Sequence, residues 1–575
     1  MKKIILSLCL LQITWCKVVD QTWWKYTTMY QVFLPSFKDG NGDGMGDLKG
    51  LISKLDHFSD MGIETIYITP HFKSPMVDSG YDIMDYTSVN PLMGTMEDFE
   101  TLIREMNSRG LKLVIDLVIN HSSDQHPWFI KSIKNEKPYA DFYVWKDPKG
   151  YEINGDPIPP NNWLSVFDGS AWKWNDERKQ FYLHQFSSGQ PDFNLRNKFL
   201  KTEINKIFEF WMNKGVAGFR LDAVKHFLED KQLRDEPLSS PDIKVPYKCH
   251  DLKHIYTNNI PDTYEYIYEI RRYFNRLSKK FTDFERVLII EDYARGDVLL
   301  RYYGTEKRQI AHLPLNFFFV EALLQSENAS FYHNSINNYL TSLPEWATPT
   351  WNIENHDKFR KGYLFGEDFE FLSVLLVMML PGMTYLYYGQ EIGLIGSKIR
   401  PNQAANFFID DLTQTSRDYF RLPMHWDDSL NAGFSTNRDL YLPLSPNYWR
   451  INVKSQKETE HSYYHMFKKI VNLRKTDTLK YGDFESYIIS TWVYAFSRTF
   501  KGQSYIVIFN FGSETEFIDL HNCIDDLPRF SIIEVASPNS GYKVGDKLPT
   551  MQEIPTILIL RPLAALVLST THSSV

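Results

Sequence analysis

Cysteine is scarce in this chain: 575 residues carry four, Cys9, Cys16, Cys249 and Cys523. Cys9 and Cys16 lie in an apolar N-terminal stretch, and Cys249 and Cys523 are far apart in sequence, so no disulfide framework organises the fold. An excess of basic charge is also missing. The 63 Lys and Arg stand against 71 Asp and Glu, and the net charge of −8 leaves no basic footprint for nucleic acid. Nor is there an uninterrupted apolar run long enough to span a bilayer. Ile4–Ile13 is too short. Ile557–Leu568 is broken by Arg561 and followed by a polar tail, which fits a terminal β-strand better than a lipid-anchor signal. With Lys2 and Lys3 ahead of the first run, residues 1–16 read as a cleavable secretory signal. The mature chain is therefore expected to be secreted and extracellular, with no transmembrane segment. Asn328-Ala329-Ser330 is the expected glycan acceptor; Asn120-His121-Ser122 has the same pattern but falls within a predicted site.

What is present is a hydrophobic fraction of 43% with 15% aromatics, which predicts a folded globular protein. Its length exceeds what one core usually serves. Short β-rich runs alternate with longer amphipathic stretches. The strand candidates are Met29–Leu34, Thr65–Ile68, Leu113–Leu117, Gly218–Leu221, Val287–Ile290, His312–Phe317, Thr350–Ile353 and Thr384–Tyr387. Helical patterns such as Asp98–Arg109, Lys201–Asn213, Tyr264–Lys280 and Phe369–Met379 lie between them. Eight such repeats predict an α/β protein built on a (β/α)8 TIM barrel. Residues 121–185, rich in Pro, Trp, Asn and Asp, interrupt the rhythm and read as a domain inserted after strand three. The barrel is then expected in two parts, 17–120 and 186–485. From 486 to 575, close-spaced strands without helices predict an antiparallel β-sandwich.

Polar residues gather where strands end. In Gly218–His226, Arg220 and Asp222 are two apart and share a strand face. A guanidinium beside a carboxylate keeps it ionised below neutral pH, the state a carboxylate nucleophile needs. A structural ion pair is the plainer alternative. Asp82 and Asp85 lie in the loop after strand two, Asp116, Asn120 and His121 end strand three, Glu291-Asp292 end strand five, and Asn355-His356-Asp357 end strand seven. Such groups need partners when buried, and barrel active sites form at this end of the strands. Because neighbours on a strand point opposite ways, only one of Glu291 and Asp292 faces the mouth. Acids from strands four, five and seven would converge there, and hydrolysis of a glycosidic bond needs two, a nucleophile and a proton donor, roughly 5–5.5 Å apart when configuration is retained. Asp39-Gly40-Asn41-Gly42-Asp43-Gly44-Met45-Gly46-Asp47 places oxygen donors at alternate positions, a pattern suited to Ca2+, although an Asp/Gly-rich turn without metal has the same look.

With these motifs in this order, the sequence resembles the α-amylase superfamily of retaining glycoside hydrolases (glycoside hydrolase family 13), and within it the insect maltase-like α-glucosidases. The resemblance covers essentially the whole mature chain. It implies Asp222 as nucleophile, Glu291 as general acid/base and Asp357 as transition-state stabiliser. It further implies that Asp116, His121, Arg220 and His356 line the subsite of the reacting glucose. Asp82 and Arg421, of Arg421-Leu422-Pro423-Met424-His425-Trp426, would grip the non-reducing end. The loop at Asp39 resembles the family's structural Ca2+ site, with side-chain oxygens from Asp39, Asn41, Asp43 and Asp47 and the carbonyl of Met45. Gln190-Pro191-Asp192 is typical of the oligo-1,6-glucosidase and α-glucosidase branch, and Ala223 resembles members that prefer α-1,4 links. Asp292, Glu354, Leu422 and His425 depart from the usual pattern.

The function this implies is an exo-acting α-glucosidase that releases α-glucose from maltose, sucrose and short α-1,4-gluco-oligosaccharides. Transfer of the glucosyl unit to a sugar is the enzymatic alternative. A non-catalytic relative, such as an amino-acid-transporter heavy subunit or a gut-surface receptor, is the alternative of another class. The transporter subunits need a membrane-spanning helix before the barrel and lose the acids that are present here.

Overall fold

The computed structural model describes residues 22–571, apart from 282, 323–326, 406–408, 411–414, 523, 525–526, 528–529 and 550–556. The expected signal segment and Cys523 lie outside the described residues; Cys249 is a free thiol. Eight parallel strands form the central sheet: β1 (Thr28–Val32), β2 (Thr65–Ile68), β3 (Lys112–Leu117), β4 (Gly218–Leu221), β5 (Val287–Ile290), β6 (Leu313–Pro314), β7 (Thr350–Asn352) and β8 (Met383–Tyr387). Their hydrogen-bonded order is β6-β5-β4-β3-β2-β1-β8-β7, a barrel closed except between β6 and β7. The seam has a sequence cause. Pro314 supplies no N–H to a ladder, so β6 is shorter than the His312–Phe317 run predicts. The Thr350 hydroxyl bridges the gap instead, donating to Pro314 O (2.7 Å) and accepting from Asn316 N (3.0 Å).

Period-two alternation divides each strand between two cores. Tyr30, Val32, Ile115, Leu117, Phe219 and Leu221 face the surrounding helices. Met29, Tyr67, Val114, Val287, Ile289, Leu313, Met383 and Tyr385 fill the interior. The filling is tight. A Cβ on Gly218 would lie 2.5 Å from a Val287 methyl and 2.8 Å from its carbonyl oxygen, so only glycine fits there. Two residues above Met29, Val114 and Gly218 come Gln31, Asp116 and Arg220, and with them the interior turns from apolar to polar.

Two excursions rise beside this polar end. Between β3 and β4, Gln180–Leu183 pairs antiparallel with Trp145–Lys146 on one side and Trp172–Asn175 on the other. Trp163, Trp172, Phe181 and Leu183 form its own small core. After β4 the chain does not enter an α-helix at once: residues 227–260 run as turns with one bridge, Leu238 to Leu252, and a single 3-10 turn, Cys249–Asp251, before helix Pro261–Ser278. That segment is pinned to the first excursion by Trp163 Nε1 donating to Arg234 O and Asn162 Nδ2 to Glu236 O, both 2.9 Å.

Beyond the barrel, six antiparallel strands form a sheet in the order 483–488, 493–500, 503–510, 565–571, 530–536, 547–549. A second pair, Glu516–Asp519 with Ile557–Leu560, shares a core with it through Ile518, Leu558 and Leu560. The single terminal strand expected over Ile557–Leu568 is thus two strands in different sheets, with the turn at Arg561 between them.

Candidate active site

The register of the barrel puts the charged residues together. Arg220 on β4 is level with Asp116 on β3, and its Nη1 donates to both Asp116 oxygens (3.0 and 3.1 Å) and also to Asp222 Oδ1. Its Nη2 lies 3.8 Å from Glu291 Oε2, at the end of β5. β4 ends at Leu221, and immediately after Asp222 the chain turns at Ala223, whose backbone is left-handed (φ 52°, ψ 35°), a conformation that costs a side-chain-bearing residue energy. That turn aims the Ala223 N–H at Glu291 Oε2 (2.8 Å), leaving Oε1 to carry a proton.

Burial and the Glu291 carboxylate push Asp222 well above the carboxylate range, against the pull of Arg220. Burial likewise pushes Glu291 up. The expectation that Arg220 keeps Asp222 ionised thus meets an opposing effect: one guanidinium serves Asp116, Asp222 and Glu291, and the charge of Glu291 works against that of Asp222. Within that pair the negative charge belongs on Asp222, because only Asp222 has the guanidinium in direct hydrogen bond.

Asp357, after β7, is arranged differently. Its Oδ1 accepts from Arg417 Nη1 (2.9 Å) and Arg421 Nη2 (2.8 Å). Burial pushes this carboxyl up, but the positive groups outweigh it and hold Asp357 well below the usual range. His356 is neutral, its pKa lowered to about 3 by burial. Gln31 Nε2 donates to its Nδ1 (2.8 Å), so Nε2 carries the hydrogen and reaches Tyr81 Oη (2.6 Å). Tyr81 Oη in turn donates to Asp116 Oδ2 (2.8 Å). A continuous chain of hydrogen bonds thus joins β1, β3 and β4 beneath the mouth.

The description "Alpha amylase, catalytic domain" matches residues 31–482. The chain belongs to the α-amylase family. It is 41% identical to Maltase 1 of Drosophila virilis over 92% of this chain and 84% of that one. It is 38% identical to an alpha-glucosidase of Culex pipiens over 96% and 91%. Among solved structures, an alpha-glucosyl transfer enzyme, XgtA, superposes with a TM-score of 0.82 at 31% identity, covering 95% of this chain and 99% of that one.

Within this α-amylase-family site, Asp116, Arg220, Asp222, Glu291, His356 and Asp357 come together, and His121 joins them through Gln190. His121 Nε2 lies 3.2 Å from Gln190 Nε2, and burial lowers its pKa to about 4. Asp82 does not pair with Arg421. Its oxygens accept from Ser74 Oγ (3.0 Å), Val77 N (2.9 Å) and Asp78 N (3.0 Å), folding the loop after β2 around a buried carboxyl. Burial raises it to about 6. Arg421 bonds instead to Asp357, His356 O (2.6 Å) and Ser79 Oγ (3.3 Å). The cross-loop pair is Asp78 with Arg417, Oδ1 to Nη2 at 2.7 Å, and Gln190 Nε2 holds the other Asp78 oxygen (3.1 Å). Asp78, Arg417, Tyr81, Gln190 and Gln31 were not singled out from sequence as site residues. Their signal was position: Asp78 and Tyr81 flank Gly80 in the same loop as Asp82, and Arg417 lies one helical turn before Arg421.

The loop expected to hold Ca2+ uses its side chains on its own backbone. Asp39 Oδ1 accepts from Asn41 N and Gly42 N, and Oδ2 from Gly44 N and Ser435 Oγ. Asp47 accepts from Gly40 N, Asn41 N and Gly50 N, capping helix Leu48–Ser53. Asn41 and Asp43 bond each other, and Met45 N donates to Asp43. Among the described residues no group of three His, Cys, Asp or Glu side chains is placed to hold a metal ion. The donor types suit Ca2+, and these hydrogen bonds leave a further lone pair on both Asp43 oxygens and on Asp47 Oδ1.

Proposed function

We propose that this glycoside hydrolase is a secreted, retaining, exo-acting α-glucosidase working on maltose, sucrose and short α-1,4-gluco-oligosaccharides. The observation that carries the reading is the division of labour among three acids. Asp222 and Glu291 are a coupled pair on adjacent strands around Arg220, and Asp357 is held ionised by two other arginines. In the first displacement Asp222 attacks the anomeric carbon as the C–O bond to the leaving sugar breaks, and Glu291 gives that oxygen its proton. In the second, Glu291 takes a proton from water, which attacks the glucosyl–Asp222 ester and releases α-glucose. Asp357 stabilises the positively charged transition state, an electrostatic role suited to a carboxylate that stays ionised.

The exo reading rests on the Asp78–Arg417 bridge. It ties the loop after β2 to the segment after β8, strands that flank β1, and so fences one end of the site. It takes over the role that sequence assigned to Asp82 with Arg421. The hydroxyl groups of a terminal glucose match this array of carboxylate and guanidinium groups. Asn328, exposed and capping helix Ala329–Ser342 through Oδ1, is open to a glycan on Nδ2. Asn120, buried with Nδ2 on Asp192, is not.

Incubation with maltose, sucrose, isomaltose, trehalose and starch, following glucose and new oligosaccharides, tests the proposal. Maltose and sucrose are expected to lead. Starch as best substrate would refute exo action, and inertness toward all five would refute the enzyme. The likeness to a glucosyl transfer enzyme favours transfer as a second outcome, seen as new oligosaccharides growing at the expense of free glucose at high sugar concentration.

A further inference from the structure

Asp292 follows Glu291 at the end of β5, yet it serves a different set of groups. Its Oδ2 accepts from Asn259 Nδ2 (2.9 Å) and lies 3.0 Å from Tyr302 Oη. The single Tyr302 proton is shared between this oxygen and Asn259 Oδ1, which also accepts from Tyr264 Oη (3.3 Å). Asn259 stands just before helix Pro261–Ser278 with a left-handed backbone (φ 55°), which asparagine tolerates better than most residues. Its backbone N–H donates to Lys225 O (2.9 Å). One residue thus holds the segment after Asp222 with its main chain and the segment after Glu291 with its side chain. The same segments meet again nearer the mouth, where Ala223 N reaches Glu291 Oε2 (2.8 Å) and Val224 N reaches Glu291 O (3.3 Å).

We propose that Asp292 is a positioning residue: through Asn259 and Tyr302 it locks the end of β5 against the turn at Ala223–His226 and so sets where the Glu291 carboxyl stands relative to Asp222. The inference rests on the α-glucosidase reading above. Double displacement depends on the spacing of the two carboxyls, and a misplacement of about 1 Å costs roughly 100-fold in rate. The carboxylate also acts through its charge. The ionisable groups around it are Glu291 and Lys225 at the strand ends, Tyr264 on helix Pro261–Ser278 with Arg301 beside it, and Tyr302. Burial does most to push Glu291 up, Asp357 comes next, and Asp292 adds to both.

Asp292→Ala, Asp292→Asn and the wild type should be compared on maltose and on p-nitrophenyl α-glucoside, whose leaving group departs with little help from an acid. For Asp292→Ala, kcat on maltose should fall roughly 10- to 100-fold, with KM within about 3-fold, the size expected for a displaced acid/base. Its kcat/KM on the aryl glucoside should fall far less. Asp292→Asn keeps an acceptor for Asn259 and should retain most of kcat, while the basic limb of its kcat/KM profile moves to lower pH. If both variants keep the wild-type pH profile and the wild-type ratio of the two substrates, the inference is overturned, whatever happens to Tm. A wild type inert toward both substrates overturns the glucosidase reading itself, and the inference with it.

Discussion

The bridge between Asp78 and Arg417 offers a quantitative test of how the pocket holds sugar. Arg417 Nη2 is 2.7 Å from Asp78 Oδ1 while its Nη1 is 2.9 Å from Asp357 Oδ1, and the Asp78 and Arg417 side chains are only 7% and 18% exposed. A hydrogen bond to a buried charge is worth about 1.5–3 kcal/mol, and removing one partner also strands the other. Each single change, Asp78→Ala or Arg417→Ala, should therefore lower kcat/KM on maltose by about 100- to 1,000-fold, corresponding to roughly 3–4 kcal/mol. The double variant should lose less than the product of the two. A coupling of about 2 kcal/mol makes the shortfall roughly 30-fold. The control is the Asp82→Ala, Arg421→Ala cycle. Among the described residues no hydrogen bond or ion pair joins these two, which meet only through the loop that carries Asp78 and Ser79, so their coupling should be clearly weaker than that of Asp78 with Arg417. Additive losses for Asp78 and Arg417, or strong coupling between Asp82 and Arg421, would refute the reasoning and restore the pair read from sequence.

Other consequences reach beyond that bridge. His71 is stacked on Phe99, neither ring nitrogen has a hydrogen-bond partner among the described residues, and burial lowers its pKa to about 3. Below its ordinary 6.5 the unfolded chain binds a proton that the folded chain refuses, so stability falls as pH drops from about 6.5 toward 3. His71→Phe should thus stabilise the fold, and by about 2 kcal/mol more at pH 5 than at pH 7.5; calorimetry showing equal gains at both would count against it. At Ala223, Val should destabilise the left-handed turn by about 1–2 kcal/mol and Gly should not, a difference readable as Tm. Because burial raises Glu291, its proton survives to higher pH than on a free glutamate. The basic limb of kcat/KM should then lie above 4.5, and a limb at or below that value would remove Glu291 as the donor.

Much of the fold could be read from the chain because β2, β4 and β5 are short apolar runs bounded by polar ends, and the structure gives them the predicted limits. β6 is shorter than its predicted run because Pro314 sits inside it. Residues 227–260 escaped because they carry neither a period of two nor one of 3.6. In the site, period two placed Arg220 and Asp222 on one face, but it was silent on which neighbours β3, β5 and β7 would bring to the same guanidinium. The choice between Asp78 and Asp82 shows the limit most clearly. Both flank Gly80-Tyr81 in one loop, and which carboxyl turns inward is decided by the N–H groups of Val77 and Asp78, a matter of loop backbone that no residue-type pattern encodes.

The claim that Asp222 forms the covalent bond is tested most directly by trapping it. A fluorinated α-glucosyl donor that reacts in the first displacement and stalls in the second should leave one glucosyl unit on the enzyme, found by mass spectrometry on the peptide containing Asp222. A glucosyl unit on Glu291 or Asp357, or rapid turnover by Asp222→Asn, would contradict the account.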